Sequence, residues 1–328
     1  MSLAILGGSG FLGSALVESL LNCGYDNIVL VSRSITASTT APIDPETMSI
    51  FGGKCHLYSA DLSDENQVKR FYDEIRPEQV INLAALVGGI GFNRDNPGKM
   101  FYDNIRIGIY CTHYAHLAKV QKYIYIGTVC SYPKYTPIPF KEQDIWNGFP
   151  ESTNAPYGVV KKSIGVMMDA YREQYKFNTI SLIPVNMYGP RDNFDVKSSH
   201  VIPALIRKML EAKSTNDDVT IWGDGSATRE FLYVYDCAEA IIMALKGCKS
   251  PGPINIGSGQ EISIANLAIK IAKLTGFTGK LIWDKTKPNG QPRRCLDVSK
   301  AKTEFGFEAK TNFDDGLERT VSWYVNRK

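Results

Sequence analysis

Residues 7–13 read Gly7-Gly8-Ser9-Gly10-Phe11-Leu12-Gly13, and the segments on either side give this stretch its meaning. The apolar run Ser2–Leu6 predicts a buried strand before it, and the periodic apolar residues of Phe11–Leu21 predict a helix after it. Glycines at its first and fourth positions permit a tight turn and a close backbone approach to a pyrophosphate, and the seventh lets helix and strand pack closely. With the helix N-terminus facing the anion, this unit predicts a dinucleotide-binding fold.

Strand and helix patterns continue to alternate up to about residue 183. The further strands predicted here are Asn27–Val31, Lys54–Tyr58, Gln79–Leu83, Lys122–Ile126 and Thr179–Ile183. Helices are predicted over Gln67–Ile75 and from near Tyr157 to about Tyr175, and the polar residues 34–50 predict a surface loop. Strand–helix–strand repetition of this kind indicates an α/β protein with a doubly wound parallel sheet of the Rossmann type.

The character of the sequence changes after about Pro184. Loops rich in Gly, Pro, Asn and Asp separate shorter elements at 189–199, 223–229, 249–260 and 285–294. We interpret residues 1–184 as a cofactor-binding domain and 185–328 as a smaller C-terminal α/β lobe that binds the substrate. A segment near 231–256 is expected to return to the first domain.

The composition excludes several classes of function. Hydrophobic residues make up 44% of the 328 residues, and the net charge of +3 is too small to indicate a nucleic-acid partner. The seven cysteines form no Cys-x-x-Cys pair and no zinc spacing, so we expect reduced thiols, a cytoplasmic location and no metal site. No apolar stretch approaches the ~20 residues of a membrane span. Because residues 1–6 lead directly into the glycine turn, we also expect no signal peptide.

The end of the second predicted strand bears on which dinucleotide binds. It reads Val31-Ser32-Arg33, in the region where NAD enzymes usually place an acid for the ribose hydroxyls. A serine-arginine pair suits a 2′-phosphate instead, which favours NADP(H). A solvated loop arginine is the alternative interpretation of Arg33.

Two further strand ends supply candidate cofactor contacts. Asp61-Leu62 follows the third strand, where Asp61 would bind the adenine amino group or cap the helix that begins near Asp64. Ala84-Ala85 ends the fourth strand with small side chains that leave room for a flat cofactor.

Tyr157 and Lys161 are the candidate proton-transfer pair. They lie four residues apart in Thr-Asn-Ala-Pro-Tyr-Gly-Val-Val-Lys (153–161), so on a helix they share one face. An ammonium beside a phenol favours phenolate, and we expect it to lower the pKa of Tyr157 towards neutrality. Such a pair suits carbonyl and alcohol chemistry, although two surface helix residues would show the same spacing.

Three more residues are candidates for the chemistry. Thr128 follows strand Lys122–Ile126, so its hydroxyl is expected at the carboxyl edge of the sheet, where ligands bind in this architecture. Cys130 is either a small buried hydrophobe or a thiolate base beside a nicotinamide. His200, at the predicted start of a helix, is either structural or a proton donor.

Six segments together resemble the GDP-L-fucose synthases, the epimerase-reductase branch of the extended short-chain dehydrogenase/reductases. They are Ala84-Ala85-Leu86-Val87-Gly88-Gly89-Ile90, Gly127–Pro133 around Cys130, Asn154-Ala155-Pro156-Tyr157 with Lys161, Tyr188–His200, Trp222-Gly223-Asp224-Gly225 with Arg229-Glu230-Phe231, and Lys287-Pro288-Asn289-Gly290 with Pro292-Arg293. The resemblance spans most of the chain, and its Val-Gly-Gly-Ile and Asp-Asn-Phe motifs are more specific than the dehydrogenase core.

The resemblance implies a two-stage reaction on a GDP-linked 4-keto-6-deoxyhexose. The C4 ketone acidifies the protons at C3 and C5, and Cys130 as base and His200 as acid would invert those centres. NADPH would then reduce C4, with Tyr157 protonating the new alkoxide and Thr128 holding it. Lys161 would bind the nicotinamide ribose and tune Tyr157.

The motifs and the resemblance together assign a set of contacts to each ligand. Those expected for the cofactor are Gly7, Ser9, Gly10, Phe11, Leu12, Gly13, Ser32, Arg33, Asp61, Leu62, Ala84, Ala85, Tyr157, Lys161, Pro184 and His200. Those expected for the substrate are Val87, Gly88, Asn186, Lys208, Trp222, Arg229 and Lys287. For Arg229 the alternative is an exposed ion pair on a loop.

Two departures from the family pattern leave the substrate open. Thr128 stands where the family usually has serine, and residues 34–54 are inserted relative to a more direct connection. A related GDP-sugar, such as a deoxyheptose or a 3,6-dideoxyhexose, is therefore an alternative substrate, and reduction without epimerisation an alternative reaction. A 4,6-dehydratase is disfavoured, because it would need an acidic pair directly after Thr128, where Val129-Cys130 stand. A non-catalytic NADP-binding sensor is a further alternative, and it would not need Tyr157 for its role.

The architecture also suggests a homodimer. Related enzymes pair through a bundle of the helices that correspond to about 97–117 and 156–175. Such a bundle would bury Ile105, Ile109, Val166 and Met167, although the same residues could belong to the intramolecular core.

Overall fold

The computed structural model describes residues 2–33, 55–287 and 289–327. The surface loop predicted at 34–50 lies outside these ranges, as do the first residue of the predicted strand Lys54–Tyr58 and Pro288.

Strands and helices follow the predicted alternation. The strands are β1 (Leu3–Leu6), β2 (Ile28–Ser32), β3 (Cys55–Ser59), β4 (Gln79–Asn82), β5 (Lys122–Ile126), β6 (Thr179–Pro184), β7 (Asn186–Tyr188), β8 (Val219–Trp222), β9 (Thr228–Tyr233), β10 (Ile254–Ile256), β11 (Glu261–Ser263) and β12 (Leu281–Asp284). The α-helices are α1 (Phe11–Asn22), α2 (Glu65–Ile75), α3 (Ile90–Asp95), α4 (Pro97–Leu117), α5 (Ala155–Tyr175), α6 (Val201–Thr215), α7 (Val234–Gly247), α8 (Ile264–Thr275), α9 (Ser299–Phe305) and α10 (Phe313–Asn326).

The central sheet has seven strands in the order β3-β2-β1-β4-β5-β6-β10. Every neighbouring pair is parallel. The order reverses direction between β1 and β4, which in such sheets opens a crevice at the carboxyl ends of the strands. The predicted doubly wound parallel sheet is confirmed.

Both faces of the sheet are covered, as β1 illustrates. Leu3 and Ile5 belong to a core cluster shared with α1 and α7, whereas Ala4 and Leu6 belong to a second cluster shared with α2, α4 and α5. Successive side chains of a strand point to opposite faces, so a strand that is apolar throughout requires helices on both sides.

The C-terminal part builds smaller sheets around a third cluster. β7 pairs in parallel with β9 and β9 antiparallel with β11, while β8 pairs in parallel with β12. The third core cluster includes residues of α6, α8 and α10. Between these elements the chain returns to the central sheet, where β10 lies beside β6. The assignment of cofactor to residues 1–184 and substrate to 185–328 stays a prediction.

Candidate active site

The glycine turn between β1 and α1 is shaped by two close approaches. Gly7 has φ +78°, and a Cβ there would lie 3.0 Å from the backbone of Ala84. A Cβ on Gly13 would lie 2.4 Å from the carbonyl oxygen of Gly8. Both positions therefore require glycine for the fold itself. The first approach also sets Ala84, predicted to face the cofactor, directly against the turn.

Gly10 differs from its two neighbours in the motif. A Cβ there would meet only the Gly7 carbonyl oxygen, at 3.4 Å, an ordinary contact. Gly10 is the N-cap of α1, no side chain caps that helix, and its first turn carries no acidic residue. An uncapped helix N-terminus with open space over Gly10 fits a pyrophosphate. The residues present thus fit a dinucleotide.

The ends of β1 and β2 meet beside this turn. The hydroxyls of Ser9 and Ser32 are 2.5 Å apart and share a hydrogen bond. Arg33 follows Ser32 and is exposed. Its guanidinium is available to a ligand phosphate at the end of β2.

Asp61 does not cap the following helix. Its carboxylate accepts hydrogen bonds from the backbone N–H and the hydroxyl of Ser63, at 2.9 and 2.8 Å. The N-cap of α2 is Asp64, whose side chain accepts from the N–H of Gln67. The capping role that was one of two alternatives for Asp61 is therefore wrong, because the helix begins three residues later. Leu62 is buried beside it.

Tyr157 and Lys161 lie on the first two turns of α5, over the carboxyl end of β5. The Lys161 ammonium donates a 2.7 Å hydrogen bond to the carbonyl oxygen of Ile126. It lies 4.5 Å from the centre of the Tyr125 ring and 5.8 Å from that of the Tyr157 ring. The predicted pair thus shares one helix face and points at the sheet edge from which Thr128 emerges.

The electrostatics of this pair differ from the expectation. Desolvation raises the pKa of the half-buried Tyr157 above its ordinary value, and Cys130 adds to the increase. Burial lowers the pKa of Lys161 to about 7. The prediction that Lys161 lowers the pKa of Tyr157 is wrong for this structure, because the ammonium is itself desolvated and faces a carbonyl oxygen. Tyr157 therefore stays protonated at neutral pH, the state that donates a proton.

Thr128 and Cys130 belong to one short turn. Thr128 follows β5 and caps a single 3₁₀ turn, Val129–Ser131, by accepting a 3.2 Å hydrogen bond from the N–H of Cys130. Ser131 donates from its hydroxyl to the carbonyl oxygen of Gly158, at 2.9 Å. Cys130 is partly exposed in this turn.

Gly158 explains how closely the turn docks on α5. A Cβ there would lie 2.1 Å from the carbonyl oxygen of Cys130, inside any permitted contact. The residue directly after Tyr157 must therefore be glycine if the two elements are to touch. Sequence reasoning missed Gly158, although it stands inside the quoted Tyr-Gly-Val-Val-Lys run.

Arg294 is the largest omission from the predicted site. Its guanidinium is buried, with Nη1 3.9 Å from the sulfur of Cys130 and 3.2 Å from Oδ1 of Asn186. Nε and Nη2 both donate to Oε1 of Gln291, at 3.2 Å each. The family motif Pro292-Arg293 quoted above ends one residue before Arg294, so extending that motif by one residue would have identified it as a candidate.

His200 stands at the N-terminus of α6 and is exposed. The N–H of Gly89 donates to the carbonyl oxygen of Ser198 at 3.1 Å, so the loop of Val87 and Gly88 lies against the segment that leads to His200. Protein atoms around the exposed ring still lower the pKa of His200 by desolvation, and the charge of Arg294 is the second cause. Arg294 is also the residue whose Nη1 lies near the sulfur of Cys130.

Two of the predicted substrate contacts lie on paired strands, Asn186 on β7 and Arg229 on β9. Arg229 is buried rather than in an exposed ion pair, and it donates to the carbonyl oxygens of Thr228 and Asn289, at 2.7 and 3.1 Å. Burial lowers its pKa to about 9, with the charge of Arg294 the second cause. Asn186 accepts a hydrogen bond from Arg294, and the charges of Arg294 and Cys130 both act on Arg229.

The remaining substrate candidates gather around β8. Lys208 donates from its ammonium to the carbonyl oxygen of Thr220, at 3.0 Å. The ammonium of Lys287 lies 5.9 Å from the centre of the Trp222 ring. A Cβ on Gly91 would lie 3.8 Å from Trp222, which sets this indole against the start of α3. Pro184, the last predicted cofactor contact, is buried at the end of β6.

Within residues 2–33, 55–287 and 289–327, no cluster of three or more His, Cys, Asp or Glu side chains could hold a metal ion. None of the helices there has both the length and the apolar character to cross a membrane.

Known proteins resemble this chain over nearly its whole length. Residues 3–257 match the model of the NAD dependent epimerase/dehydratase family. GDP-L-fucose synthase 1 of Arabidopsis thaliana is 37% identical over 98% of this chain and 92% of its own length. A GDP-6-OMe-4-keto-L-xylo-heptose reductase from C. jejuni has a similar structure, with 27% identity, a TM-score of 0.86 and coverage of 99% and 97% of the two chains. A Campylobacter jejuni GDP-mannoheptose C4 reductase with NADP bound is also 27% identical, with a TM-score of 0.82 over 99% and 98%.

Proposed function

The chain belongs to the NAD dependent epimerase/dehydratase family and, within it, to the family of the GDP-L-fucose synthases, and on that premise we propose its reaction. It is an NADPH-dependent enzyme that epimerises C3 and C5 and reduces C4 of a GDP-4-keto-6-deoxy sugar. The product is GDP-L-fucose or a closely related GDP-deoxysugar.

One observation carries this proposal. The turn that bears Cys130 docks on the first turn of α5, directly beside Tyr157, and the docking is so close that only glycine fits at position 158. A thiol and a phenol of different function are therefore presented to one ligand. A plain reductase needs the phenol but not the thiol.

Epimerisation uses Cys130 and His200 on opposite faces of the sugar. The C4 ketone lets the Cys130 thiolate remove the proton from C3, leaving an enolate, and His200 returns a proton to the other face of that carbon. The same exchange at C5 inverts the second centre. Nη1 of Arg294 lies 3.9 Å from the sulfur, and a guanidinium in this position would stabilise the thiolate that this step requires.

Reduction follows at C4. The nicotinamide cofactor supplies the hydride when bound. Tyr157, which its surroundings keep protonated, donates its proton to the C4 oxygen while the Thr128 hydroxyl hydrogen-bonds the same oxygen. Lys161, anchored on the Ile126 carbonyl, stands beside the phenol to bind the nicotinamide ribose and steady the pair.

The GDP group is assigned to the remaining polar residues. Arg229 is a buried guanidinium bonded to two carbonyl oxygens, and a diphosphate would give it a counter-charge. Trp222, Lys287 and Lys208 around β8 suit an aromatic base and its phosphates. The sugar is assigned to Val87, Gly88 and Asn186.

The cofactor is NADP(H). We propose that its pyrophosphate binds at the N-terminus of α1, over Gly10 and Phe11–Gly13, and its 2′-phosphate at Ser32 and Arg33; the uncapped helix end and the paired serine hydroxyls support this. The similar GDP-mannoheptose C4 reductase has NADP bound. Asp61 and Leu62 are proposed for the adenine, and Ala84, Ala85 and Pro184 for the nicotinamide side.

A steady-state assay of NADPH oxidation with GDP-4-keto-6-deoxymannose tests the reaction. We expect turnover by the wild-type enzyme and GDP-L-fucose as product. Cys130→Ala should abolish formation of the epimerised product while the fold is retained. Absence of turnover with every GDP-4-keto sugar would contradict the proposal.

A second candidate is C4 reduction without epimerisation. Two similar structures are GDP-heptose reductases, and the extra methyl of Thr128 stands in the turn that presents Cys130. For this candidate, NADPH oxidation would be unchanged in Cys130→Ala and the product would keep the substrate configuration at C3 and C5. Product stereochemistry by proton NMR separates the two reactions.

We further propose that two copies pair through α4 and α5. Phe101, Ile109 and Val166 are exposed on these helices, at 44%, 39% and 51%. Ile105, predicted for the same interface, instead packs against the sheet core, and Met167 is partly buried. The exposed apolar set on both helices suits a helix bundle between copies.

Light scattering on two matched variants tests the dimer. Val166→Glu places a charge on the proposed interface, whereas Val325→Glu changes an equally exposed valine on α10. We expect a dimer mass for wild-type protein and Val325→Glu, and a monomer mass for Val166→Glu. A monomeric wild-type protein would contradict the pairing.

The cytoplasm is the proposed compartment. All seven cysteines are free, and four of them are buried as unpaired thiols. Thiols stay reduced in the cytosol. Fractionation of the source cells should recover the protein with cytosolic markers.

A further inference from the structure

Arg294 is a buried cation whose guanidinium forms no ion pair with a carboxylate within the described residues. Its burial is nearly complete, at 7% exposure. Buried guanidinium groups are normally paired, because desolvation of an uncompensated charge is costly. Its polar neighbours are neutral amides and one sulfur, that of Cys130.

All three nitrogens of the Arg294 guanidinium donate hydrogen bonds to buried or partly buried amide oxygens. Gln291 accepts from Nε and Nη2 through one oxygen, and Asn186 accepts from Nη1. The amide nitrogen of Gln291 donates to the carbonyl oxygens of Pro133 and Lys134, at 3.2 and 3.0 Å. Gln291 therefore ties the arginine to the loop that follows Cys130, and it is itself buried.

The backbone fixes Arg294 as well. Its carbonyl oxygen accepts from the N–H of Glu230, at 2.9 Å, which ties this segment to β9. These contacts fix the direction of the guanidinium, and Nη1 lies between Oδ1 of Asn186 at 3.2 Å and the sulfur of Cys130 at 3.9 Å.

Other charges near the sulfur do not replace Arg294. Arg229 lies within electrostatic range of both Cys130 and Arg294, but its hydrogen bonds go to carbonyl oxygens. Tyr157 also lies near Cys130 and is neutral at pH 7. His200 feels the charge of Arg294. Among these groups, Arg294 alone donates towards the sulfur.

We propose that Arg294, oriented by Gln291, is a positioning residue for Cys130 that holds its sulfur as a thiolate aimed at the substrate. A guanidinium beside a thiolate stabilises the reactive form and fixes its direction. The role rests on the proposed function in one respect, that Cys130 acts as the base. If Arg294 served only to contact the diphosphate or the sugar, it would not affect Cys130 in the substrate-free enzyme.

Alkylation of Cys130 by iodoacetamide, followed by peptide mass spectrometry from pH 5.5 to 9.5, measures this effect without substrate. The exposed Cys23 in the same chain serves as the internal reference. We expect Arg294→Gln to slow alkylation of Cys130 about 10-fold at pH 7 and to approach the wild-type rate at alkaline pH. Arg294→Lys should retain most of the wild-type rate at pH 7.

Arg293→Gln is the matched control. It removes the same charge one residue earlier, but Arg293 is exposed and bonded to Glu261. Its alkylation profile should overlay that of the wild-type protein. If Arg294→Gln does not fold, Gln291→Met decides the question, because it keeps the arginine but releases it, and we expect alkylation about threefold slower at pH 7.

Two outcomes would overturn the proposal. One is a profile of Arg294→Gln that overlays wild type, and the other is an equal loss in Arg293→Gln. Deuterium exchange at C3 and C5 is measured on the same variants and should slow in Arg294→Gln. An alkylation effect without exchange in the wild-type enzyme would leave the positioning role standing and contradict the proposed epimerisation instead.

Discussion

The proposed cofactor end and the proposed substrate end of this molecule, called the cofactor end and the substrate end below, are built in different ways. At the cofactor end, the turn Gly7–Gly13 is one continuous stretch, and two of its glycines, Gly7 and Gly13, are required by backbone contacts with Ala84 and Gly8. At the substrate end, the cluster of Cys130, Asn186 and Arg294 draws on segments up to 164 residues apart. The glycine turn is therefore local in the sequence, whereas the cluster around Cys130 forms only when distant segments come together in the folded protein.

The two ends also differ in how they treat charge. The N-terminus of α1 offers backbone N–H groups and no charged side chain in its first turn. The proposed substrate end buries Arg229 and Arg294, and within the described residues neither guanidinium forms an ion pair with a carboxylate. Buried unpaired charges destabilise a fold. This difference supports the proposal that the second end binds an anionic ligand.

Tyr157→Phe should have the largest effect, because the phenol serves the ligands of both ends. Loss of a positioned proton donor is expected to slow C4 reduction on the order of 10³-fold. Single-turnover oxidation of NADPH measures it. Tyr175→Phe, an exposed tyrosine on the same helix, is the control and should be unchanged. A Tyr157→Phe rate above a tenth of wild type would remove this residue from the chemistry.

Gly158→Ala tests the docking of the Cys130 turn on α5. Overpacking against the carbonyl oxygen of Cys130 should lower the free energy of unfolding by about 2–3 kcal/mol. Gly165→Ala, on the same helix with no atom near its Cβ position, should raise it by about 0.5–1 kcal/mol. Urea denaturation measures both. Equal effects of the two substitutions would show that the turn does not depend on this contact.

Arg229→Gln tests whether the substrate end is arranged for a diphosphate. Loss of charge-assisted hydrogen bonds should raise KM for the GDP-sugar roughly 10- to 100-fold, with a smaller change in kcat. KM for NADPH should stay as in wild type, which serves as the control from the cofactor end. An unchanged KM for the GDP-sugar would assign Arg229 to the fold alone.

Asp192→Asn tests the stability cost of a buried charge. Burial raises the pKa of Asp192 to about 7, and its Oδ2 has no hydrogen-bond partner among the described residues. The folded state therefore binds this proton more tightly than the unfolded chain does, so stability falls as pH rises from about 4 to about 7. Asp192→Asn should lack this decline and exceed wild type by ~1–3 kcal/mol at pH 8 in urea denaturation. If the free energy of unfolding of the two proteins changes in the same way between pH 4 and pH 8, the assigned role of Asp192 is wrong.

Arg33→Ala should have the smallest effect. Loss of a guanidinium contact to the 2′-phosphate is expected to lower kcat/KM for NADPH about 10-fold. The value for NADH, which lacks that phosphate, should change little. Steady-state rates with both cofactors give the ratio of kcat/KM for NADPH to kcat/KM for NADH. If this ratio is the same in Arg33→Ala and in the wild-type enzyme, Arg33 is a solvated loop residue.

The sheet could be predicted from the sequence because buried parallel strands are continuous apolar runs between turn residues. β5 begins and ends at the predicted residues, and β6 extends the prediction by one residue to Pro184. β10 was expected only as a returning segment, since three residues, Ile254–Ile256, carry too little periodicity to fix a strand.

The candidate site could be predicted where its residues share one helix or one turn, as Tyr157 and Lys161 do. Arg294 was missed although the quoted motif ends one residue before it, because nothing in the adjacent sequence indicates a contact with Cys130. The pKa of Tyr157 was predicted in the wrong direction for a related reason. Spacing gives the distance between two side chains, but it does not give the desolvation that both undergo in the folded protein.

Proton NMR of the product formed in D₂O tests the central claim most directly. The wild-type enzyme, with NADPH and GDP-4-keto-6-deoxymannose, should place deuterium at both C3 and C5 of the product, and Cys130→Ala should place none at either carbon. A reduced product from the wild-type enzyme that carries protium at both positions would contradict the account.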